Sequence, residues 1–160
     1  MKKIPIVVMT LFIVFSFSTQ PLNAQDIGMN FYINFGLLTD DSFSFSDYLW
    51  SAGANLDIHI GPLLMITPEC DIIVYKFDFD PVILAPAVMA NIKLKNVFFG
   101  LGITKWFLIG DSVGTIEGDF ALKMNLGLRT SNLRITLYGV SYFDSFFDYF
   151  LFGISLGFGF

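Results

Sequence analysis

The chain has 160 residues, of which 54% are hydrophobic, 18% aromatic and only 14% charged, with a formal net charge of −5. An ordinary soluble domain carries roughly 25% charged residues, and a nucleic-acid partner calls for a basic patch, so neither class fits. The mean hydropathy of +0.66 is membrane-like. Yet beyond the leader no stretch approaches the roughly 20 consecutive apolar residues of a spanning helix.

Residues 1–24 read as a secretory signal peptide, with Lys2 and Lys3 ahead of an apolar core from Ile4 to Phe17. Pro21 breaks that core before Leu22-Asn23-Ala24, and Ala24 is the residue expected before the cut. The mature domain is then 25–160, with seven basic against fourteen acidic residues. Cys70 is the only cysteine, so no internal disulfide forms, although an exported compartment would permit one. No cysteine follows the core at a lipidation position, which argues against a lipoprotein.

Eight segments of strand length follow, each alternating with period two. In the first, Ile27, Met29, Phe31, Ile33, Phe35 and Leu37 are apolar, with Gly28, Asn30, Tyr32, Asn34 and Gly36 between them. The second sets Trp50 to Ile60, on even positions, against Ser51, Gly53, Asn55, Asp57 and His59. The third sets Leu64, Ile66, Pro68, Cys70, Ile72 and Val74 against Thr67, Glu69 and Asp71. The fourth runs from Val82 to Leu94 on even positions, with Asn91, Lys93 and Lys95 opposite. Pro68 and Pro86 sit inside these strands and cannot donate a ladder bond, so they are expected to mark bulges or to shorten the strands.

The fifth segment sets Val97, Phe99, Leu101 and Ile103 against Gly100, Gly102 and Thr104. In the sixth, Phe120 to Leu128 on even positions oppose Lys123, Asn125, Gly127 and Arg129. The seventh opposes Leu133, Ile135 and Leu137 to Arg134, Thr136 and Tyr138. The last opposes Phe150, Phe152, Ile154, Leu156, Phe158 and Phe160 to Gly153, Ser155, Gly157 and Gly159. Read as helices, these segments would carry glycine and asparagine through every interior, at a cost near 1 kcal/mol per glycine.

Tight turns at Gly61-Pro62, Lys95-Asn96 and Thr130-Ser131-Asn132 alternate with longer connections around 39–49, 77–81, 106–119 and 143–148. That asymmetry is the one found in outer-membrane barrels. The predicted fold is all-β, an eight-stranded antiparallel up-and-down transmembrane β-barrel behind a cleaved leader. A soluble exterior needs roughly a quarter to a third charged residues. The polar faces here are mostly glycine, asparagine, serine and threonine, so they are expected to line the lumen and the apolar faces to meet lipid.

Eight strands leave an interior just wide enough to be filled by side chains. Asp57, His59, Glu69 and Asp71 with Lys93, Lys123, Arg129 and Arg134 are the expected lumen network, since buried charges must pair or be hydrated. His59 is the only histidine and has no cysteine near it in sequence, which leaves no zinc-type ligand set. Ser141, Ser145 and Asp144 have no base in reach, and no phosphate loop or dinucleotide fingerprint is present. No cofactor, no metal and no catalysis are expected.

Acids concentrate in the long connections: Asp40, Asp41 and Asp47, then Asp78 and Asp80, then Asp111, Glu117 and Asp119, then Asp144 and Asp148. This rim would stay solvated, and it would suit divalent cations or cationic surface partners. Interleaved aromatics, Phe43, Phe45, Tyr48 and Phe143 among them, suit an interfacial girdle.

The leader, the eight alternating strands and the aromatic ending resemble the small eight-stranded outer-membrane barrels of the OmpX, OmpW and OmpA-barrel type. In that group the alternation up to a final phenylalanine is read by the barrel-assembly machinery. Ile154, Leu156, Phe158 and Phe160 match that signal. The resemblance implies a monomeric outer-membrane protein, exported through the periplasm and embedded in outer-membrane lipid. Its implied role is structural or surface-interacting. A narrow pore or transporter for small hydrophobic or ionic solutes is the alternative.

Overall fold

The computed structural model describes residues 27–40, 48–111, 113–143 and 150–160. The leader lies outside the described residues. Eight strands follow one another: β1 Ile27–Thr39, β2 Leu49–Ile60, β3 Leu64–Tyr75, β4 Asp78–Leu94, β5 Val97–Gly110, β6 Gly114–Arg129, β7 Leu133–Tyr142 and β8 Leu151–Gly159. Every neighbour is antiparallel, and β8 closes on β1 to complete the barrel. The closing ladder runs from Tyr32 opposite Gly159 to Thr39 opposite Phe152. Phe160 N extends it by donating to Phe31 O at 3.1 Å. Closure pairs backbone groups that an open edge would leave exposed, which hydrocarbon does not tolerate.

The alternation sorts the wall into two faces. Outward-facing Met29, Phe35, Leu101, Phe120, Leu128, Leu137 and Phe158 are all exposed. Inward-facing Tyr32, Asn55, Asp57, Thr67, Asn91 and Lys123 are buried. The apolar face is therefore the outside and the polar face the inside, as the strand compositions require.

The two prolines do not mark bulges, and the strands do not end at them. Across β2–β3 the ladder skips Leu56 and Asp57 opposite Thr67 and Pro68, then resumes in the same register at Ile58 and Ile66. Across β4–β5 it skips Ala85 and Pro86, then resumes in register at Ala87 and Thr104. Each proline turns its missing N–H toward one neighbour, while its other edge pairs normally, Pro68 with Val88 and Pro86 with Cys70. The register shifts lie elsewhere, between Ile73 and Tyr75 in β3–β4 and between Lys105 and Phe107 in β5–β6.

Two expected long connections are also corrected. Residues 77–81 and 106–119 are largely strand, so Asp78 and Asp80 lie on β4, and Glu117 and Asp119 on β6. The β3–β4 turn is only Lys76-Phe77, both left-handed with φ of 48° and 64°, the two-residue geometry that usually takes Asn-Gly. The β5–β6 turn closes through Gly114, whose φ of +69° suits glycine. β4 reaches 17 residues and β6 16, against 9 in β8. A membrane strand needs about 9–11 residues, so these hairpins project well beyond the wall. Asp40 directly follows β1 and Asp111 lies in the β5–β6 turn, whereas Asp41, Asp47, Asp144 and Asp148 lie outside the described residues.

Candidate functional site

The barrel interior falls into three layers. At the short-turn end His59, Lys93 and Arg129 meet around Asn30. His59 Nε2 lies 2.5 Å from Arg129 Nη1 and 3.0 Å from Asn30 Oδ1, and its Nδ1 lies 3.3 Å from Lys93 Nζ. Lys93 Nζ also donates to Gly61 O at 3.3 Å. Tyr32, fully buried just above, donates its hydroxyl to Thr130 O at 2.8 Å and so ties β1 to the β6–β7 turn.

The middle layer holds the pairs that the sequence predicts as a network. Arg134 Nη1 donates to Asp57 Oδ1 at 2.8 Å, with Asp57 0% and Arg134 2% exposed. Thr67 Oγ1 and Asn55 Nδ2 donate to the same oxygen at 2.9 and 3.1 Å. Arg129 Nη1 stands 3.8 Å from Asp57 Oδ2. Asn34 donates on to Asn55, and Asn91 to Thr67, so β1, β2, β3, β4 and β7 are joined through side chains alone. Next to them Lys123 Nζ lies 2.5 Å from Glu69 Oε1 and 3.5 Å from Asp71 Oδ2. The first approach is close in distance but is not aligned as a hydrogen bond at Glu69 Oε1. All eight predicted lumen residues thus face the interior, divided between two clusters rather than joined in one.

Aromatic rings complete the packing: Tyr138 stands on the inner face expected of it, and Phe98, which the alternation left unassigned, joins it there. The Phe98 ring, 1% exposed, lies 4.6 Å beneath the Arg134 guanidinium carbon, and the Tyr138 ring 4.5 Å from Lys123 Nζ. Desolvated cation–π contacts of this kind contribute on the order of 2 kcal/mol. Each ring needs a glycine opposite. A Cβ at Gly127 would come within 2.6 Å of Phe98 Cε1, and one at Gly153 within 2.6 Å of Tyr138 Cε2.

The third layer corrects the expectation of a polar lumen throughout. Toward the loop end Leu38, Ile73, Ala85, Ala121, Val140 and Leu151 form a buried apolar cluster beside Tyr138. Leu49, Ile83, Trp106 and Tyr142 pack against it. These residues keep the inward register of their strands, so the pattern of faces is intact and only the chemistry changes. Below this layer a void of about 10 Å³ remains among Asn34, Glu69, Asp71, Lys123, Asn125 and Arg134. That is about the space of one water, and Asn125, whose amide has no protein partner, borders it.

At the loop end the acids are placed by the projecting hairpins. Asp80 Oδ1 accepts from Asp111 N at 3.0 Å, linking the β3–β4 hairpin to the β5–β6 turn. Asp78 Oδ1 accepts from Asp80 N at 3.2 Å. Glu117 pairs with Lys105 at 2.7 Å in an exposed position worth little in water. Among the described residues no group of three histidine, cysteine or acidic side chains is arranged to hold a metal ion. Outside the wall, Trp50 stacks on Phe77 at 4.6 Å between ring centroids and meets Tyr48 edge-on at 5.8 Å. An apolar depression of about 730 Å³ lies beside this cluster, lined by Leu37, Trp50, Leu126, Leu137, Phe152 and Ile154 among others.

No protein-family model matches the chain, and no curated protein matches it. Among solved structures, the chain is similar to Ail, the attachment invasion locus protein of Yersinia pestis, in a crystal structure with the heparin analogue sucrose octasulfate. The identity is 11% and the TM-score 0.40, over 83% of this chain and 95% of that one.

Proposed function

We propose that the protein is an integral outer-membrane barrel without catalytic activity, with a filled lumen, that serves a structural or surface-interaction role through its acidic loop end. The observation that carries this reading is the inverted wall. Large apolar side chains are exposed on every strand but β2, where Trp50, Leu56, Ile58 and Ile60 are half-buried, while asparagine, threonine and ion pairs fill the short-turn end and middle of the inside. A soluble barrel buries the apolar face, because apolar surface left in water costs roughly 25 cal/mol per Å². Outer-membrane lipid is therefore the primary partner, met by a monomer. Ile154, Leu156, Phe158 and Phe160 would serve recognition by the assembly machinery.

The filled interior favours a plug over a pore. The middle void is about 10 Å³ and the apolar layer caps it toward the loop end. Divalent cations or cationic surface partners are the ligands we assign to the acidic rim around Asp40, Asp78, Asp80, Asp111 and Asp119. Three measurements test the reading. A folded barrel runs at a different apparent mass on unheated gels and fractionates with membranes; a heat-insensitive, detergent-independent protein refutes the membrane assignment. In planar bilayers, a reproducible open state that shifts on Asp71→Ala or Arg129→Ala refutes the plug. Cell-binding assays on variants with shortened β3–β4 and β5–β6 hairpins, with and without divalent cation, test the surface role.

A further inference from the structure

The charges of the lumen do not balance locally. In the middle, Lys123 faces two carboxylates, Glu69 and Asp71. Toward the short-turn end, Lys93, Arg129 and Arg134 share a single one among the described residues. Asp57 is already committed to Arg134 at 2.8 Å, and it reaches Arg129 only at 3.8 Å. Among the described residues Lys93 has no carboxylate within ion-pair distance.

His59 does not relieve this surplus. A neutral imidazole offers one donor and one acceptor nitrogen. If Nε2–H donates to Asn30 Oδ1, Nδ1 can accept from Lys93, but the Arg129 guanidinium then faces an N–H at 2.5 Å. In the other tautomer Nε2 accepts from Arg129 and Nδ1–H faces the Lys93 ammonium at 3.3 Å. Either way one cation stands against an N–H, and the acceptors within its reach, Asn30 Oδ1 for Arg129 and Gly61 O for Lys93, both at 3.3 Å, are neutral. Lys95 in the adjacent β4–β5 turn adds to the positive rim, and the described acids of the loop rim, Asp40, Asp78, Asp80, Asp111, Glu117 and Asp119, stand at the other end of the barrel.

From this geometry we propose that the short-turn mouth of the barrel is a binding site for a phosphate-type oxyanion, held by Lys93 and Arg129 with His59 between them. An oxyanion accepts from both cations and lets His59 keep the tautomer that suits Asn30. Arg129 supplies the fork geometry that matches phosphate, and Lys93 supplies a mobile point charge. The anion could be free phosphate or the phosphodiester headgroup of a lipid in the adjoining leaflet. The site rests on the lumen charges and not on the membrane reading: a water-soluble barrel that bound phosphate would separate the two.

Because His59 is the only histidine, its ring resonances report on the site without ambiguity. The test folds the protein in a nonionic micelle and titrates inorganic phosphate against chloride at constant ionic strength. The expected result is a saturable shift of the His59 resonances with phosphate alone. Affinity should fall at least about tenfold in Arg129→Gln and in Lys93→Gln, the loss of one charge-assisted contact. Equal shifts with chloride, or unchanged affinity in both variants, overturn the proposal. If Arg129→Gln fails to fold, as judged by heat-dependent gel mobility, the half-exposed Lys93→Gln and the chloride comparison decide. Bicelles with and without phosphatidylglycerol distinguish the sources: saturation by that lipid but not by inorganic phosphate assigns a headgroup. Asp26 precedes β1 outside the described residues; phosphate binding seen only after Asp26→Asn makes that carboxylate the counter-ion and overturns the proposal.

Discussion

Asp57→Asn is the most informative single change in the barrel. Asp57 and Arg134 are almost wholly buried, and the carboxylate oxygen that accepts from Arg134 at 2.8 Å also accepts from Thr67 and Asn55. The asparagine carbonyl can still accept from those two, so their contribution of about 1 kcal/mol each is retained. What is lost is the charge that answers Arg134, and with it the distant partner of Arg129. Removing one member of a buried pair costs about 3–5 kcal/mol, because the other charge stays buried alone. Joint replacement, Asp57→Asn with Arg134→Met, removes the orphan and should cost at least about 1.5 kcal/mol less than the two single changes added together. Equilibrium unfolding in micelles, followed through Trp50 and Trp106, measures both quantities. A loss under about 1 kcal/mol for Asp57→Asn, or simple additivity of the pair, would refute the pairing that organises the middle layer.

Three other outcomes are expected. Phe98→Ala should destabilise the folded barrel by about 3–5 kcal/mol in the same unfolding assay, since it empties a closed site and uncovers Arg134. Leu101→Arg, on the exposed wall, should cost about 2–4 kcal/mol in bilayers if that face meets lipid near the midplane; a variant as stable as the parent contradicts the lipid-facing assignment. Deleting Phe160 should lower the amount of protein reaching the membrane several-fold, measured by blotting fractions, while the refolded barrel melts near the parent temperature. Normal membrane levels of that truncation would count against the assembly role.

The wall was legible in the sequence because one simple rule, period two, holds wherever one face is apolar and the other polar. The same rule hid the features that break it. Phe98 stands between Val97 and Phe99, so three apolar residues in a row conceal which one turns inward; Gly127 on the neighbouring strand was the available clue. Leu38, Ile73, Val140 and Leu151 went unread as lumen residues because an apolar inner layer erases the contrast between faces. The register shift between Ile73 and Tyr75 then moves the alternation out of step. The Lys76-Phe77 turn carries no glycine or asparagine to announce it, and aspartates on β4 and β6 imitate loop composition. The lumen ions could be listed from the strand faces, but not partnered. Their division depends on which strands lie side by side around the ring, and a linear pattern does not carry that.

The two interrupted ladders bear on how the wall yields. Pro68 weakens the seam between β2 and β3, and Pro86 the seam between β4 and β5, while the ladder joining β3 to β4 runs unbroken from Leu64 opposite Ile92 to Ile73 opposite Ile83. The hairpin between the two prolines is therefore a single stave with a loosened joint on each side. Amide exchange should be faster along those two joints than along the β3–β4 ladder between them. Local loosening of the wall is thereby placed on the two flanks of one stave, and that stave carries one of the projecting acidic hairpins.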